Sequence, residues 1–307
     1  MAKRGDRFII RRPTPPETIG GGVVIDAHGQ KYRFGLKTIE RLQQKMQLTP
    51  KEQLLERLKT EKLLSQLEAC KELHLSEVEF KRDVLQFKSI CILPSGDVTS
   101  LAVVSSLKSH VAAELTRYHN DFPLRSGMNK AELISRFVDQ YPKKLITWLV
   151  DEGVKQNWYK GVGPYIALTS FKPHPPEQWK KRVDHVLQAL EKEHVKVTPL
   201  LEHLEVQHIP NELHSDISHY LVYQKLVFQL DEKLFIHVKP FKHAISCLYK
   251  QTGQQFSLQD AKEILELSRK YVVPFVEKLD QLGLTIRHEK EREWRVDQLE
   301  NWLNSTS

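Results

Sequence analysis

Apolar residues recur at the helical period over most of this chain, and short alternating runs interrupt them at intervals. The pattern is sharpest near the end. Val272, Phe275, Val276 and Leu279 fall at i, i+3, i+4 and i+7, one apolar helix face. Gly283 then supplies the left-handed stop that ends such helices. Beyond it, residues 284–287 and 294–296 are short strand-like runs around the polar tip His288-Glu289-Lys290-Glu291. A proline deep inside a helix costs about 3 kcal/mol but is tolerated in the first turn. Pro274 therefore predicts a regular helix starting at residues 271–273, with Ser268, Arg269 and Lys270 in the preceding turn.

Upstream, a set of three helices and a hairpin recurs, giving four units in all. The first has Leu54, Leu55 and Leu58, then Leu64 and Leu67, then Phe80, Val84 and Phe87, with a turn at Ser95-Gly96-Asp97. In the second, Leu107, Val111, Leu115 and Tyr118 precede Leu133 and Phe137, then Leu145, Trp148 and Leu149, and a hairpin around Gly161-Val162-Gly163-Pro164. The third has Val183, Val186, Leu187 and Leu190, then Leu200, Leu201 and Leu204, then Ile217, Tyr220 and Leu221, with Asp231-Glu232-Lys233 at its turn. Phe241, Ile245, Leu248 and Tyr249, followed by Leu258, Ala261, Ile264 and Leu265, open the fourth.

A helix running into a hairpin with a charged tip is the reading half of a winged-helix domain, a unit that usually grips nucleic acid. A unit of this size buries only about 60 % of its unfolded surface, so stacking is needed to stabilise it. The expected fold is mostly α, α+β winged-helix repeats in an elongated tandem array, preceded by a short β segment from an incomplete barrel. The expected divisions are 1–35 for the barrel strands, then winged helices at 36–105, 106–172, 173–239 and 240–307. Pro173, Pro175 and Pro176 mark the expected hinge.

The front segment differs from the rest. Arg7-Phe8-Ile9-Ile10-Arg11 and Val23-Val24-Ile25-Asp26 read as strands, with Gly20-Gly21-Gly22 before the second. Two or three strands without a partner form no stable sheet in water. The segment reads as the closing edge of a barrel whose other strands lie elsewhere, or else as a loosely docked arm. Met1 is equally compatible with a natural start, a split gene or a truncated product.

Charge changes the picture once it is located. Residues 1–60 hold 13 Lys/Arg and 6 Asp/Glu of the chain's 46 and 39, so the whole net charge of +7 lies there. The helical bulk is neutral and must grip nucleic acid through a local patch. No apolar run approaches the roughly 18 residues of a membrane span, and the basic start lacks the apolar core of a signal peptide. Cys70, Cys91 and Cys247 match no zinc or redox spacing, and the 14 histidines offer no helix-face ligand pair with a third donor. The expectation is a cytoplasmic, reduced, metal-free monomer without membrane contact. No phosphate-binding loop of the form G-x-x-x-x-G-K-[ST] is present, and Asn129-Lys130-Ala131-Glu132 lacks the Asp of a guanine-specificity motif.

Two stretches together carry a resemblance. GDRFIIRRPTPPETIGGGVVID, residues 5–26, is similar to the end of the third, β-barrel domain of elongation-factor-Tu-like GTPases. SRKYVVPFVEKLDQLGLTIR, residues 268–287, is similar to the terminal RNA-reading winged helix of the bacterial selenocysteine-specific elongation factors, the SelB family. The chain resembles the C-terminal half of that family. The resemblance implies an arm that holds an mRNA stem-loop beside an in-frame UGA codon, directing selenocysteine incorporation on the ribosome. It implies that GTP, its magnesium and selenocysteinyl-tRNA belong to an N-terminal GTPase half, so this chain itself is expected to have no cofactor and no enzymatic activity.

The expected RNA-binding residues are Ser268, Arg269, Lys270 and Tyr271 at the helix start and Arg287, Lys290, Arg292 and Arg295 on the wing. A helix start offers free N–H groups and partial positive charge, and arginine offers a fork suited to phosphate. Competing readings are plain ones. Glu289, Glu291 and Glu293 interleave with the wing cations and would pair with Arg287 and Arg295. Tyr271 would be a core edge, and Trp294 would pack the wing onto the helix. At the level of function, the alternatives are a DNA-binding regulator and a protein-interaction scaffold.

Overall fold

In the computed structural model, residues 6–25, 31, 33–73, 75–83 and 88–305 are described. Asp26, Val84 and Phe87 of the sequence pattern lie outside them. The chain begins with strands β1 (Arg7–Arg12) and β2 (Glu17–Val23), followed by helix α1 (Leu36–Gln47). The first repeat is α2 (Pro50–Glu61), α3 (Gln66–Leu73), α4 (Glu77–Asp83), β3 (Ile90–Ile92) and β4 (Val98–Ser100). The second is α5 (Leu101–Asp121), β5 (Met128–Asn129), α6 (Lys130–Ser135), α7 (Lys143–Lys155), β6 (Tyr159–Val162) and β7 (Tyr165–Leu168). The third is α8 (Glu177–Lys192), α9 (Leu200–Val206), α10 (Asn211–Tyr223), β8 (Val227–Gln229) and β9 (Phe235–His237). The fourth is α11 (Val238–Thr252), β10 (Gln255–Ser257), α12 (Leu258–Ile264), α13 (Arg269–Gln281), β11 (Thr285–His288) and β12 (Glu291–Trp294), closed by α14 (Val296–Ser305). Helices α5 and α11 begin at Leu101 and Val238, upstream of 106 and 240, because each starts directly at the end of the preceding wing strand.

Two compact units divide the chain, one of residues 1–114 with 129–159, the other of residues 115–128 with 160–307. In the first unit, β1 and β2 pair antiparallel with a register shift between Ile10 and Arg11. A Cβ at Gly21 would lie 2.7 Å from the Phe8 carbonyl oxygen, so a side chain there would have to push the β1 backbone aside. Phe8, Ile9, Ile10 and Ile19 are exposed, and the ribbon has no third strand among the described residues. The first winged helix closes on Leu54, Leu58, Ala69, Cys70, Phe80 and Val98. Its second helix was expected to include Leu64, but Leu64 forms a β-bridge to Val98 instead, since α3 starts at Gln66 under a Ser65–Glu68 capping pair.

The second unit has two cores. One gathers Val183, Val186, Leu190, Leu204, Ile217 and Leu221 of the third repeat. The other joins Val197, Leu230, Leu234 and Ile236 of that repeat to Phe241, Leu248, Phe275 and Leu279 of the fourth. The third wing is therefore consumed as packing. Helix α14 secures it, with Trp302 against Phe228 at 5.8 Å and Phe241 at 6.1 Å between ring centroids, and Lys242 Nζ donating to the Leu303 carbonyl.

The expected hinge is tied down within this unit. The His174 N–H donates to the Pro123 carbonyl, Gln224 donates to that of Pro173, and Phe171 stacks on His119 at 3.7 Å. Prolines remove donors and fix φ, but here they lie against a packed surface, so they do not make a joint. His119 is buried, accepts the Leu168 N–H at 3.2 Å, and is pushed down to about 4 by burial.

Candidate nucleic-acid interface

The fourth repeat follows its sequence pattern closely. Val272, Phe275, Val276 and Leu279 of α13 are all buried, and Gly283 takes φ +71 at the helix end. The start differs from expectation. Helix α13 begins at Arg269 with Ser268 as its cap residue, which places Pro274 at the sixth helical position. The N–H that proline lacks would have served the carbonyl of Lys270, which lies in the exposed first turn, where such a loss costs least. Burial of the four apolar side chains outweighs the proline cost of about 3 kcal/mol, since each contributes roughly 1.5–3 kcal/mol.

The wing is a three-stranded sheet in the order β10-β12-β11. Its two outer strands flank β12, which pairs Thr285 with Trp294 and Arg287 with Arg292 on one side and Phe256 with Arg292 on the other. The turn is tighter than expected, with Glu289 at φ 39 beside Lys290. Trp294 packs the wing inward, as the plainer reading had it. Its Nε1–H donates to Thr252 Oγ1 at 3.2 Å, and its ring lies against Tyr249 and Phe256.

Between α13, the start of α12 and the wing runs a groove of about 500 Å³. Four of the eight expected residues line it: Arg269, Arg287, Lys290 and Arg292. The sequence pattern missed Ser257, Gln259, Glu277 and Glu289, which also line it. Glu277 was findable, because it stands eight residues after Arg269 on the same helix face. Arg269, Arg287 and Lys290 are exposed and have no ion-pair partner among the described residues. Elsewhere on the wing, His288 Nε2 lies 3.2 Å from Glu293, and Arg295 donates to Gln298 at 3.5 Å.

Arg292 corrects the expectation of an exposed wing cation. It is 6 % exposed, and its Nε–H donates to both carboxylate oxygens of Asp280 on α13, at 3.2 and 3.0 Å. The cause is strand alternation, since Arg292 shares the inward face of β12 with Trp294. Tyr271 is half-buried against the core, with Lys270 Nζ 5.2 Å from its ring centroid. Ser268, Lys270, Tyr271 and Arg295 are not among the groove residues.

The starts of the corresponding helices differ from repeat to repeat. Helix α4 has Glu77 and Glu79 in its first turn, with Glu79 bonded to Ser76. In α7, Lys144 is paired with Asp97 from the first repeat's wing. Helix α10 has Glu212 in its first turn, and its Asp216 is paired with Arg125 at 3.0 Å. The start of α6 is similarly self-satisfied: Asn129 accepts the Ala131 N–H as a helix cap. Helix α13 has no acid in its first turn and no side-chain cap. Helix α7 shares the acid-free first turn and carries the exposed Lys143, but in α13 the first-turn cation Arg269 lines one groove together with the wing cations Arg287 and Lys290. No group of three His, Cys, Asp or Glu placed to hold a metal occurs among the described residues.

Comparison with known proteins places this architecture. Two family models, each described as "Elongation factor SelB, winged helix", match residues 112–168 and 248–294. The second of these matches runs from the last turn of α11 to β12 and contains the groove-lining residues. The selenocysteine-specific elongation factor of Desulfomicrobium baculatum is 24 % identical over 315 aligned positions, covering 95 % of this chain and 47 % of the relative. The chain thus spans about half the length of the curated relative it matches. A crystal structure of bacterial selenocysteine-specific elongation factor EF-Sec shares the fold, with a TM-score of 0.52 and 22 % identity over 96 % of this chain and 46 % of that one. Two stretches of this chain thus match SelB winged-helix models, and nearly its whole length is similar to about half of a selenocysteine-specific elongation factor.

Proposed function

We propose that the fourth winged helix binds a folded RNA, an mRNA stem-loop beside an in-frame UGA codon, and that the chain is the messenger-recognising arm of a selenocysteine-specific elongation factor. One observation carries this reading. Arg269, Arg287 and Lys290 converge on a single groove without carboxylate partners, in a repeat that matches a SelB winged-helix model. The first three repeats serve as spacer and protein-contact domains; the helix starts of the first and third carry acids in their first turns, and Lys144 of the second is paired with Asp97.

On this reading the ribosome is the assembly served. GTP, magnesium and selenocysteinyl-tRNA are bound by the remaining half of the full-length factor, and this chain performs no chemistry on them. The arm acts in the cytoplasm, as a monomer within that factor. The test is a selection from an RNA stem-loop pool with randomised loops, followed by competition against duplex DNA at fixed salt. Enrichment of a loop family that duplex DNA fails to displace is the expected outcome. A pool that never enriches, or equal displacement by DNA, overturns the reading and favours a DNA-binding regulator.

A further inference from the structure

Arg292 lines the groove from below, unlike the exposed cations around its rim. A buried guanidinium needs a counter-charge, and Asp280 supplies it through the Nε–H alone. Asp280 is itself oriented, since Thr285 Oγ1–H donates to its Oδ1 at 2.5 Å. That leaves the two Nη groups. Neither has an acceptor among the described residues, and neither is sealed away from solvent without a partner. Arginine carries five N–H donors, so a side chain with one committed and 94 % of its residue surface covered is an unfinished site.

We infer that the outer edge of the Arg292 guanidinium is a fixed seat for one phosphate group of the RNA backbone, with Asp280 as its positioning residue. This inference rests on the RNA-binding reading of the groove. Two parallel N–H donors match two phosphate oxygens, a geometry that lysine cannot reproduce. Glu277 and Glu289 also line the groove, so it does not attract anions everywhere. A phosphate must arrive where the fork points.

The seat and the rim have different tasks. Arg269, Arg287 and Lys290 are exposed to solvent, attract phosphates over distance, and lose rotamer freedom on binding. Arg292 has already lost that freedom on folding, so its contact is preorganised. The rim therefore sets approach and salt dependence, and the seat sets the lifetime of the complex. The sign of one substitution separates this from simple charge effects. Asp280 is an anion beside an anion-binding groove, so removing its charge would strengthen RNA binding if it acted only electrostatically. The seat requires the reverse, because Arg292 then loses its brace.

The probe is the stem-loop that the parent chain enriches from the randomised pool. Its dissociation rate is measured on the parent, Asp280→Asn and Arg292→Lys, with thermal transitions by circular dichroism confirming that each is folded. Both variants are expected to release RNA roughly tenfold faster with an unchanged salt slope. Parent-like or slower release by a folded variant overturns the seat. If one variant does not fold, the other decides, and Thr285→Val, which only loosens Asp280, stands in for both. Inorganic phosphate is added as a competitor against chloride of equal ionic strength. Excess competition on the parent that Arg292→Lys abolishes supports a shared phosphate seat, as do equal effects accompanied by faster release from the variant; excess competition of the same size on Arg292→Lys places the anion elsewhere and overturns the seat. A pool without enrichment refutes the RNA reading itself, and is distinct from enrichment with unaltered release.

Discussion

Neutralising the groove rim should change the salt dependence of RNA binding more tellingly than it changes affinity. The perturbation is the triple variant Arg269→Gln, Arg287→Gln and Lys290→Gln. All three side chains are exposed and line one groove, and none has an ion pair to lose within the described residues. The fold should therefore tolerate their loss, since surface changes of this kind stay within about 0.5 kcal/mol of parent stability. Each cation that meets a phosphate releases counterions, steepening the plot of log affinity against log salt by about 0.9 on duplex RNA-like segments and 0.7 on single strands. Three contacts amount to a slope difference of about 2 to 3. Between 0.1 and 0.3 M salt the parent should thus lose about tenfold more affinity than the variant. Fluorescence anisotropy with a selected stem-loop across that range measures it. An unchanged slope in a folded triple variant would refute the assignment of these three residues as phosphate contacts.

Three further outcomes follow from the packing and the buried charges. Phe275→Ala removes a side chain that is 1 % exposed and meets the Phe241 ring at 5.1 Å, so it should cost about 3–5 kcal/mol in chemical denaturation, and a loss below 1 kcal/mol contradicts the core described. Gly153→Ala gains about 1 kcal/mol of helix propensity but places a Cβ 2.4 Å from the Tyr159 ring; overpacking of about 1–3 kcal/mol should win, giving a lower Tm, and a raised Tm sinks that argument. His119 titrates near 4 when folded against an ordinary 6.5, so the unfolded chain binds its proton first and stability is lost as pH falls from 6.5 to about 4. The loss approaches about 3 kcal/mol, and His119→Gln should flatten this part of the profile; an unaltered profile means another group is responsible.

Much of the fold was legible in the sequence because helix faces repeat at a fixed period, and the buried set of α13 falls on that period without exception. The elements that escaped are those whose identity depends on distant partners. Strand β10 is three residues long and exists because β12 pairs with it, and α14 is held by Phe228 and Phe241 from elsewhere in the chain. At the candidate site, Arg269, Arg287 and Lys290 were found by charge and position. Arg292 was misplaced although the signal was present. Trp294 was already read as inward, and a strand repeats its facing every second residue, so Arg292 had to share that face. Its carboxylate partner lies 12 residues away on another element, which no local pattern reveals. The start of α13 was misjudged for the opposite reason, since a local rule about proline was trusted over the burial that overrides it.

The most direct test of the account is where the RNA sits. Amide hydrogen exchange is compared on the full chain alone and saturated with a selected stem-loop. Added protection should concentrate at residues 269–273 and 287–292, around one groove of the fourth winged helix. Protection centred on α7, α10 or the β1–β2 ribbon, with that groove unchanged, would contradict it.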